Sequence, residues 1–374
     1  MKIYICIPSL NEAGTIGAVT KLVDQGLKEL SLLCGKTIEA KIINVDSESD
    51  DDTANVFKKT DTFFPKQSII LSKPRGKGKN LLAFMRVAKQ EKADCCLTID
   101  ADIRSAKVAW ITELLKPVLN NEADYVTPLY ARSRFEGSST NHFAYPIVLA
   151  AGGENIRQPI AGDFAFNSKL IDVIQNSKIP DPAHEYGIDI FLTLSALTNH
   201  LRLVQVELDE KMHNPSFNKL EYMFPQIAAS TLFLLRGVKM KTASRVGAEA
   251  TINNIASSSV FPHREDAVKM KEHSLSQLAS ADFNKWGWVQ TDIAKEIKKF
   301  DSVGMKAGDW VNILSSWLKY GLQNKNVSPL ILAEQLLPFF VIRATTFWFS
   351  SENMSAEEVE KEIHDQAISL NSSF

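Results

Sequence analysis

Cys95-Cys96-Leu97-Thr98-Ile99-Asp100-Ala101-Asp102 is the stretch that decides the fold of this chain. It is an apolar run closed by two carboxylates one residue apart, which is typical of a buried strand whose carboxyl end opens on a crevice. Ligands of open α/β sheets bind in that crevice. Carboxylates there suit Mg²⁺ or Mn²⁺, which can take further ligands from phosphate and water. A D-x-D tripeptide is also common in polar turns, so the surrounding segments must decide between the two interpretations.

Alternating strand and helix patterns surround this stretch. Short apolar segments run into polar loops, and each loop leads into an amphipathic pattern of helical period. The predicted strands are 2–7, 40–45, 67–71 and 124–129, and the predicted helices are 15–33, 54–59, 80–92 and 108–119. Such alternation predicts an α/β fold with a doubly wound, mainly parallel sheet whose loops open on one edge.

A basic loop, Ser72-Lys73-Pro74-Arg75-Gly76-Lys77-Gly78-Lys79, follows the third strand. Lysine side chains and free helix amides could neutralise a diphosphate there, and the two glycines would let the backbone approach a ligand closely. The alternative is a solvated basic turn. The loop lacks Walker spacing, and no G-x-G-x-x-G follows the first strand, which disfavours P-loop enzymes and dinucleotide oxidoreductases.

Composition narrows the class of protein. The chain has 374 residues, 45% of them hydrophobic, which is more than one core usually holds, so two parts are expected. A net charge of −2 with scattered lysine and arginine disfavours a nucleic-acid partner. Four cysteines without a C-x-x-C pair favour buried thiols in a reducing compartment, so we predict a cytoplasmic protein.

The sequence pattern of the last third of the chain predicts helices only. Its predicted helices are 217–235, 264–278, 286–300, 307–321, 329–349 and 356–370. We therefore predict two domains, 1–216 and 217–374, the second covering the sheet edge or forming an oligomer interface. The apolar stretch 330–349 contains Glu334, Pro338 and Arg343, which argues for a pair of buried helices and against a membrane span. No signal peptide is apparent.

Several motifs follow one another along the chain. They are Ile7-Pro8-Ser9-Leu10-Asn11-Glu12, Asp46-Ser47-x-Ser49-x-Asp51-x-Thr53, Gly76-Lys77-Gly78, Asp100-Ala101-Asp102, Gln158-Pro159-x-x-Gly162, Tyr186-Gly187-Ile188-Asp189 and His213-Asn214. With these motifs in this order, the chain resembles the GT-A glycosyltransferases. The first two are general to nucleotide-sugar transferases of this fold. The last three resemble the retaining group that contains glucosyl-3-phosphoglycerate and mannosylglycerate synthases. The resemblance implies a Rossmann-like GT-A domain followed by a helical C-terminal domain.

The resemblance also implies a role for each motif. The residues expected to bind the nucleotide sugar are Pro8, Leu10, Glu12, Ser47, Lys77, Asp100, Ala101, Asp102, Gln158 and Asp189. Those expected to take part in catalysis are Lys77 facing the diphosphate, Asp102, and Glu185 or Asp189 at the sugar hydroxyls. The expected ligands of Mg²⁺ or Mn²⁺ are Asp100, Asp102 and His213, with the last two the direct ones.

The loop from Arg134 to Thr140 is expected to form the acceptor pocket. The acceptor-binding residues implied by the resemblance are Arg134, Ser138, Ser139, Thr140 and Asn141. Phosphoglycerate enzymes carry a Gly-Arg-x-Thr run, whereas this chain has Gly137-Ser138-Ser139-Thr140, closer to the Ala-Ser-Thr of the mannosylglycerate enzymes. The missing arginine disfavours a phosphorylated acceptor unless Arg132, Arg134 or Arg157 replaces it.

The function implied by the resemblance is a retaining, metal-dependent hexosyltransferase that works as a homodimer. It would move glucose or mannose from UDP-glucose or GDP-mannose to glycerate, 3-phosphoglycerate or a similar small carboxylate, and make a compatible solute or a glycolipid or polysaccharide precursor. Two alternatives stay open. A sugar nucleotidyltransferase would need a glycine-rich loop after the first strand, and Ser9 to Glu12 contain no glycine. A non-catalytic binding module is disfavoured by the presence of Lys77, Asp102 and His213.

Overall fold

The computed structural model describes residues 1–34, 38–152, 154–212, 219–238 and 264–373. The chain divides into two compact units. The first comprises Met1–Tyr130 and Ile160–Pro215, and the second comprises Ala131–Pro159 and Ser216–Phe374. This division differs from the predicted boundary after residue 216 in one segment, since residues 131–159 belong to the second unit together with the C-terminal helices.

A seven-stranded sheet organises the first unit. Its strands are β1 (Lys2–Ser9), β2 (Glu39–Asp46), β3 (Lys66–Ile70), β4 (Cys95–Thr98), β5 (Tyr125–Ala131), β6 (Ala165–Asn167) and β7 (Leu203–Glu210), in the order β3-β2-β1-β4-β6-β5-β7. β1 pairs in parallel with β2 and β4, and β2 pairs in parallel with β3. β6 is antiparallel to both β4 and β5. The predicted α/β fold with a mainly parallel sheet is confirmed.

Helices connect and follow these strands. In chain order they are α1 (Ile16–Cys34), α2 (Thr53–Lys59), α3 (Lys77–Gln90), α4 (Val108–Leu119), α5 (Tyr145–Gly152), α6 (Ser168–Gln175), α7 (Ile188–Thr198), α8 (Leu220–Leu235), α9 (Arg264–Ser280), α10 (Thr291–Glu296), α11 (Lys299–Ser302), α12 (Ala307–Gln323), α13 (Pro329–Ser351) and α14 (Ala356–Asn371). A π-helical turn, Thr140–Ala144, precedes α5, and a 3₁₀ turn, Asp181–His184, precedes α7.

The centre of the sheet is apolar on both faces. The side chains from Ile3 to Ile7 in β1 are at most 1% exposed, as a strand between two helical layers requires. α1 packs on the sheet through Val19, Val23 and Leu27, which recur every four residues and therefore share one helix face. α3 begins at Lys77, three residues before its predicted start, so this lysine lies in the first helical turn.

Two helix predictions for the second unit need correction. Residues 329–349 form one helix, α13, and not a pair. Its length and composition alone would suit a membrane span, but its most apolar 18-residue stretch is 67% buried, as in the core helix of a globular unit. Its central Arg343 is 1% exposed and donates to Glu362 Oε1 at 2.6 Å. In place of the predicted helix 286–300 the structure has two short helices, α10 and α11, and the first begins only at Thr291. Gly287, near the predicted start, has φ +68°, a left-handed conformation that does not belong to a right-handed helix.

Asp124 at the start of β5 anchors a charged cluster in the first unit. Its carboxylate accepts from Arg202 Nε and Lys169 Nζ at 3.0 Å and from Asn167 Nδ2 at 2.8 Å. The hydrogen bond from Arg202, ahead of the other contacts, holds the pKa of Asp124 far below its usual range. Because the folded-state pKa is depressed, this stabilisation is present above the unfolded pKa of about 4 and is lost as the pH falls.

We therefore expect Asp124→Asn to lower the free energy of unfolding by about 2 kcal/mol at pH 7. The difference from the wild-type protein should shrink as the pH falls below about 4, because the Asp124 carboxylate then binds a proton in the unfolded state while it stays ionised in the native state. Urea unfolding from pH 7 to pH 3 measures both. Asp172→Asn is the control, because its pair with Lys89 is about half exposed and contributes little. A difference that stays constant over this pH range would contradict the prediction.

Candidate active site

Three predicted residues meet just beyond the carboxyl end of β4. Asp100 follows this strand, and its Oδ1 lies 3.1 Å from the Nζ of Lys77, in the first turn of α3. The same ammonium lies 3.1 Å from Asp189 Oδ2, in the first turn of α7. The sheet edge thus brings together residues that are far apart in the sequence, as the carboxyl ends of neighbouring parallel strands do.

Two further charged residues complete the cluster, and sequence reasoning missed both. Lys211 Nζ lies 3.1 Å from Asp100 Oδ2 and 2.6 Å from Asp163 Oδ2. Asp163 is fully buried, and its Oδ1 accepts from the main-chain N of Asp100 at 2.8 Å. In the sequence, only their positions point to the site. Asp163 directly follows Gly162 of a recognised motif, and Lys211 lies two residues before His213.

The charges of this cluster shift the pKa values of its members. Burial by itself would lower the pKa of Lys77, but the carboxylates of Asp100 and Asp189 outweigh it and raise that pKa above its ordinary value. Burial would raise the pKa of Asp100, yet the ammonium groups of Lys77 and Lys211 hold it well below its usual range. Burial raises the pKa of Asp163 and of Asp189, which nearby lysines only partly offset. The cluster thus holds three carboxylates and two ammonium groups, joined by four ion pairs.

Asp189 has one oxygen that the protein leaves unsatisfied. Its Oδ2 binds Lys77, while its Oδ1 is buried and has no hydrogen-bond partner within the described part of the chain. A buried carboxylate oxygen without a donor is costly, and a ligand hydroxyl would remove that cost. The geometry therefore suits a polyhydroxylated ligand such as a sugar.

The loops after β1 and β2 are connected by hydrogen bonds. The residues expected at the base and ribose, Pro8, Leu10, Glu12 and Ser47, lie on these loops or at the adjoining strand ends. The main-chain N of Glu12 donates to Thr53 Oγ1 at 2.8 Å. Ser47 is buried and its hydroxyl donates to Asn80 Oδ1 at 2.8 Å, whereas Leu10 is 38% exposed. Among these four, Leu10 presents an accessible apolar surface and Ser47 serves the packing of the loop.

The glycines of the basic loop have a different role from the expected one. A Cβ on Gly76 would lie 2.4 Å from the carbonyl oxygen of His184, and a Cβ on Gly78 would lie 2.0 Å from that of Ala183. These glycines therefore admit the backbone of the 181–185 turn, whereas the sequence suggested that they admit a ligand. The main-chain N of Gly78 donates to the carbonyl oxygen of Glu185 at 3.0 Å, which ties this predicted sugar contact to the start of α3.

The predicted metal ligands are only partly described. His213 lies outside the described residues, and the described ones contain no group of three metal-ligating side chains. Both oxygens of Asp100 are ion-paired with lysines, which makes Asp100 a poor metal ligand. Asp102 lies in the turn after β4, and a carboxylate is the kind of ligand that a hard divalent cation prefers. Of the two described candidates, Asp102 therefore suits such a cation better than Asp100.

The arginines that could replace the missing acceptor arginine lie in the second unit. Arg134 Nη1 donates to the carbonyl oxygen of Ser351 at 2.6 Å and also to that of Met354. Arg157 forms a buried pair with Glu360, with 2.5 Å between Nε and Oε1 and 3.0 Å between Nη2 and Oε2. Both guanidinium groups thus hold the helices of this unit together.

The remaining acceptor candidates cluster at the π-helical turn. Ser138, Thr140 and Asn141 are each at most 7% exposed, and Ser139 adjoins them. Gln158, expected at the nucleotide sugar, also belongs to the second unit, where its Oε1 accepts from Arg132 Nε at 3.2 Å. A π-helical turn is often found at functional sites, which suits an acceptor-binding segment.

Comparisons with known proteins give a family match for part of the chain and a fold shared with solved structures. Residues 4–173 match the family described as Glycosyl transferase family 2. A search of curated proteins gives no match. The chain is similar to glucosyl-3-phosphoglycerate synthase from Mycobacterium tuberculosis in complex with phosphoglyceric acid, with 24% identity, a TM-score of 0.50, and coverage of 64% of this chain and 81% of that chain.

A second crystal structure of the same Mycobacterium tuberculosis enzyme contains Mn²⁺, uridine-diphosphate-glucose and phosphoglyceric acid. Its identity to this chain is 24% and the TM-score is 0.51, with coverage of 64% of this chain and 80% of that chain. These likenesses confirm the GT-A fold, and the family match confirms the resemblance to glycosyltransferases.

Proposed function

We propose that this chain, whose residues 4–173 match the family described as Glycosyl transferase family 2, transfers a hexose from a nucleoside diphosphate sugar to a small carboxylate acceptor, with the help of Mg²⁺ or Mn²⁺. The observation that carries the proposal is the Lys77 ammonium, held between Asp100 and Asp189 where the sheet opens. Transfer from such a donor requires the charge of the departing diphosphate to be neutralised, and a fixed ammonium in a partly buried site does this well.

Each residue of the cluster has a task in this reaction. The Lys77 ammonium has two described acceptors, so one of its three N–H groups remains for a phosphate oxygen. Asp189 Oδ1 would accept from a sugar hydroxyl, and Glu185 would hold another. A divalent cation bound by Asp102 and His213 would act as a Lewis acid on the diphosphate.

We propose retention of the anomeric configuration through same-face attack. Asp189 is ion-paired with Lys77, and no other side chain is an evident nucleophile among the described residues. In this scheme the bond between the anomeric carbon and the leaving phosphate oxygen breaks, and that oxygen accepts the proton of the attacking hydroxyl. NMR of the product gives its anomeric configuration. An inverted product, or a covalent glycosyl-enzyme trapped on Asp189 or Glu185, would contradict the scheme.

The choice of substrates rests on two observations. A similar crystal structure contains uridine-diphosphate-glucose, which favours UDP-glucose over GDP-mannose. The same structure contains phosphoglyceric acid, so 3-phosphoglycerate stays the alternative acceptor. Glycerate is the acceptor that we favour, because Arg134 and Arg157 are bound within their own unit. A cytoplasmic location, a homodimer and a product that serves as a compatible solute or precursor remain predictions from the resemblance.

A thermal-shift panel tests the proposal. UDP, GDP, ADP and their glucose or mannose conjugates are compared with and without Mn²⁺ or Mg²⁺. We expect UDP-glucose with Mn²⁺ to raise Tm, since a ligand at a hundredfold excess over its Kd stabilises by ~2.7 kcal/mol. Asp102→Ala should keep its fold and lose the metal-dependent part of the shift. Asp172→Ala, at an exposed ion pair, is the control.

The panel and a product assay separate the possible outcomes. A metal-dependent shift followed by glucosylglycerate formation supports the proposal. A shift without product from any acceptor would instead indicate a non-catalytic binding module. If no nucleotide sugar shifts Tm, the proposed function is wrong.

A further inference from the structure

The ammonium group of Lys211 has no hydrogen left for a ligand. It lies 3.1 Å from Asp100 Oδ2, 2.6 Å from Asp163 Oδ2 and 2.9 Å from the carbonyl oxygen of Ala161. An ammonium has three N–H groups, so these acceptors use all of them. The side chain is 2% exposed, and its Nζ lies 5.1 Å from the centroid of the Tyr130 ring.

Lys77, which is paired with the other oxygen of Asp100, has fewer described acceptors than Lys211. Its ammonium has two described acceptors, Asp100 Oδ1 and Asp189 Oδ2, and its side chain is 18% exposed. One of its N–H groups is therefore available to a phosphate oxygen. Although both lysines bind the same carboxylate, one can meet a ligand and the other can only hold the protein.

Asp163, like Lys211, binds Asp100, and it does so through the main chain of Asp100. Its Oδ1 accepts from the main-chain N of Asp100 at 2.8 Å, and its Oδ2 accepts from Tyr130 Oη at 2.7 Å as well as from Lys211. Gly162, which precedes Asp163, has φ +93°, and a Cβ on it would lie 2.3 Å from Asp100 Oδ2. Residues 161–163 and Lys211, here called the Asp100 bracket, thus surround both the main chain and the carboxylate of Asp100.

We propose that Lys211 and Asp163 are positioning residues that fix the Asp100 carboxylate, and through it hold Lys77 facing the diphosphate of the donor. The proposal rests on the proposed function, since it assumes a nucleoside diphosphate at Lys77. Asp100 supplies one of the two anchors of a lysine with a flexible four-carbon stem. Without Lys211, the carboxylates of Asp100 and Asp163 would lose the cation that they share, and their like charges would repel each other.

Nucleotide affinity in two variants tests this role. Lys211→Met removes the bracket's ammonium, and Lys211→Met/Asp163→Asn removes one charge of each sign. Titration calorimetry measures the binding of UDP and of UMP, which shares the base, the ribose and the first phosphate. We expect UDP affinity to fall about tenfold or more in both variants, with a much smaller fall for UMP, because a misplaced Lys77 loses a charged hydrogen bond to the terminal phosphate.

A purely structural role would not change the ratio of the two affinities. Lys169→Met is the control, since it removes a lysine paired with Asp124 in the same unit, 58% exposed, and should leave both affinities as they are. An unchanged ratio of UDP to UMP affinity in either folded variant would overturn the positioning role alone. If Lys211→Met does not fold, the charge-balanced double variant decides. A wild-type protein that binds neither UDP nor GDP would overturn the proposed function, and the positioning role with it.

Discussion

Replacing Lys77 with methionine is expected to lower kcat/KM for hexose transfer by about a hundredfold to a thousandfold, the cost of losing a fixed group that stabilises developing charge. The Lys77 ammonium is held between Asp100 and Asp189, and its remaining N–H group is the one available to the leaving diphosphate. Methionine keeps the length of the side chain without its charge, so the loss should appear mainly in kcat. Steady-state product formation from UDP-glucose and glycerate measures it, with Tm recorded to confirm folding.

The neighbouring Lys79 provides a matched control. It lies in the same first turn of α3, and its Nζ donates to the carbonyl oxygen of Pro74 at 2.8 Å. Lys79→Met removes an identical charge two residues away, and we expect its kcat/KM to stay within about threefold of the wild-type value. Equal losses in the two variants would mean that general positive charge near α3, and not the position of Lys77, assists the reaction.

The sequence predicts the part of the site that follows from strand order. β1 and β4 are apolar on both faces, so their place in the centre of a covered sheet could be inferred from composition alone. Polar loops after parallel strands meet at one edge, which is why the approach of Lys77 to Asp100 was predictable. The start of α3 was placed three residues late because glycines and a preceding proline suggested a loop.

Contacts between distant segments were beyond the sequence. Lys211 meets Asp100 across 111 residues, and nothing local distinguishes a lysine with three buried acceptors from one in solvent. The same holds for Arg157, whose pair with Glu360 links residues 131–159 to the C-terminal helices of the same unit. Local sequence patterns predict which segments form helices and strands, whereas the partner of a buried charged residue depends on the tertiary fold.

The replacement of Gly78 by alanine is expected to lower the free energy of unfolding by about 3 kcal/mol, at the upper end of what overpacking costs. A Cβ at this position would lie 2.0 Å from the carbonyl oxygen of Ala183, and backbone atoms cannot turn aside as a flexible side chain can. The start of α3 must then separate from the 181–185 turn and strain the 3.0 Å hydrogen bond from Gly78 N to Glu185 O. Urea unfolding measures the loss.

The same separation should reach the site, because Lys77 precedes Gly78 and Glu185 lies on the displaced turn. We therefore expect the KM for the donor to rise in a Gly78→Ala variant that remains folded. Gly14→Ala is the control, since nothing lies within 4 Å of its Cβ position, and it should change stability by about 0.5 kcal/mol or less. If Gly78→Ala is as stable as Gly14→Ala, the turn moves freely against α3, and the close approach of the two backbones does not hold Glu185 in place.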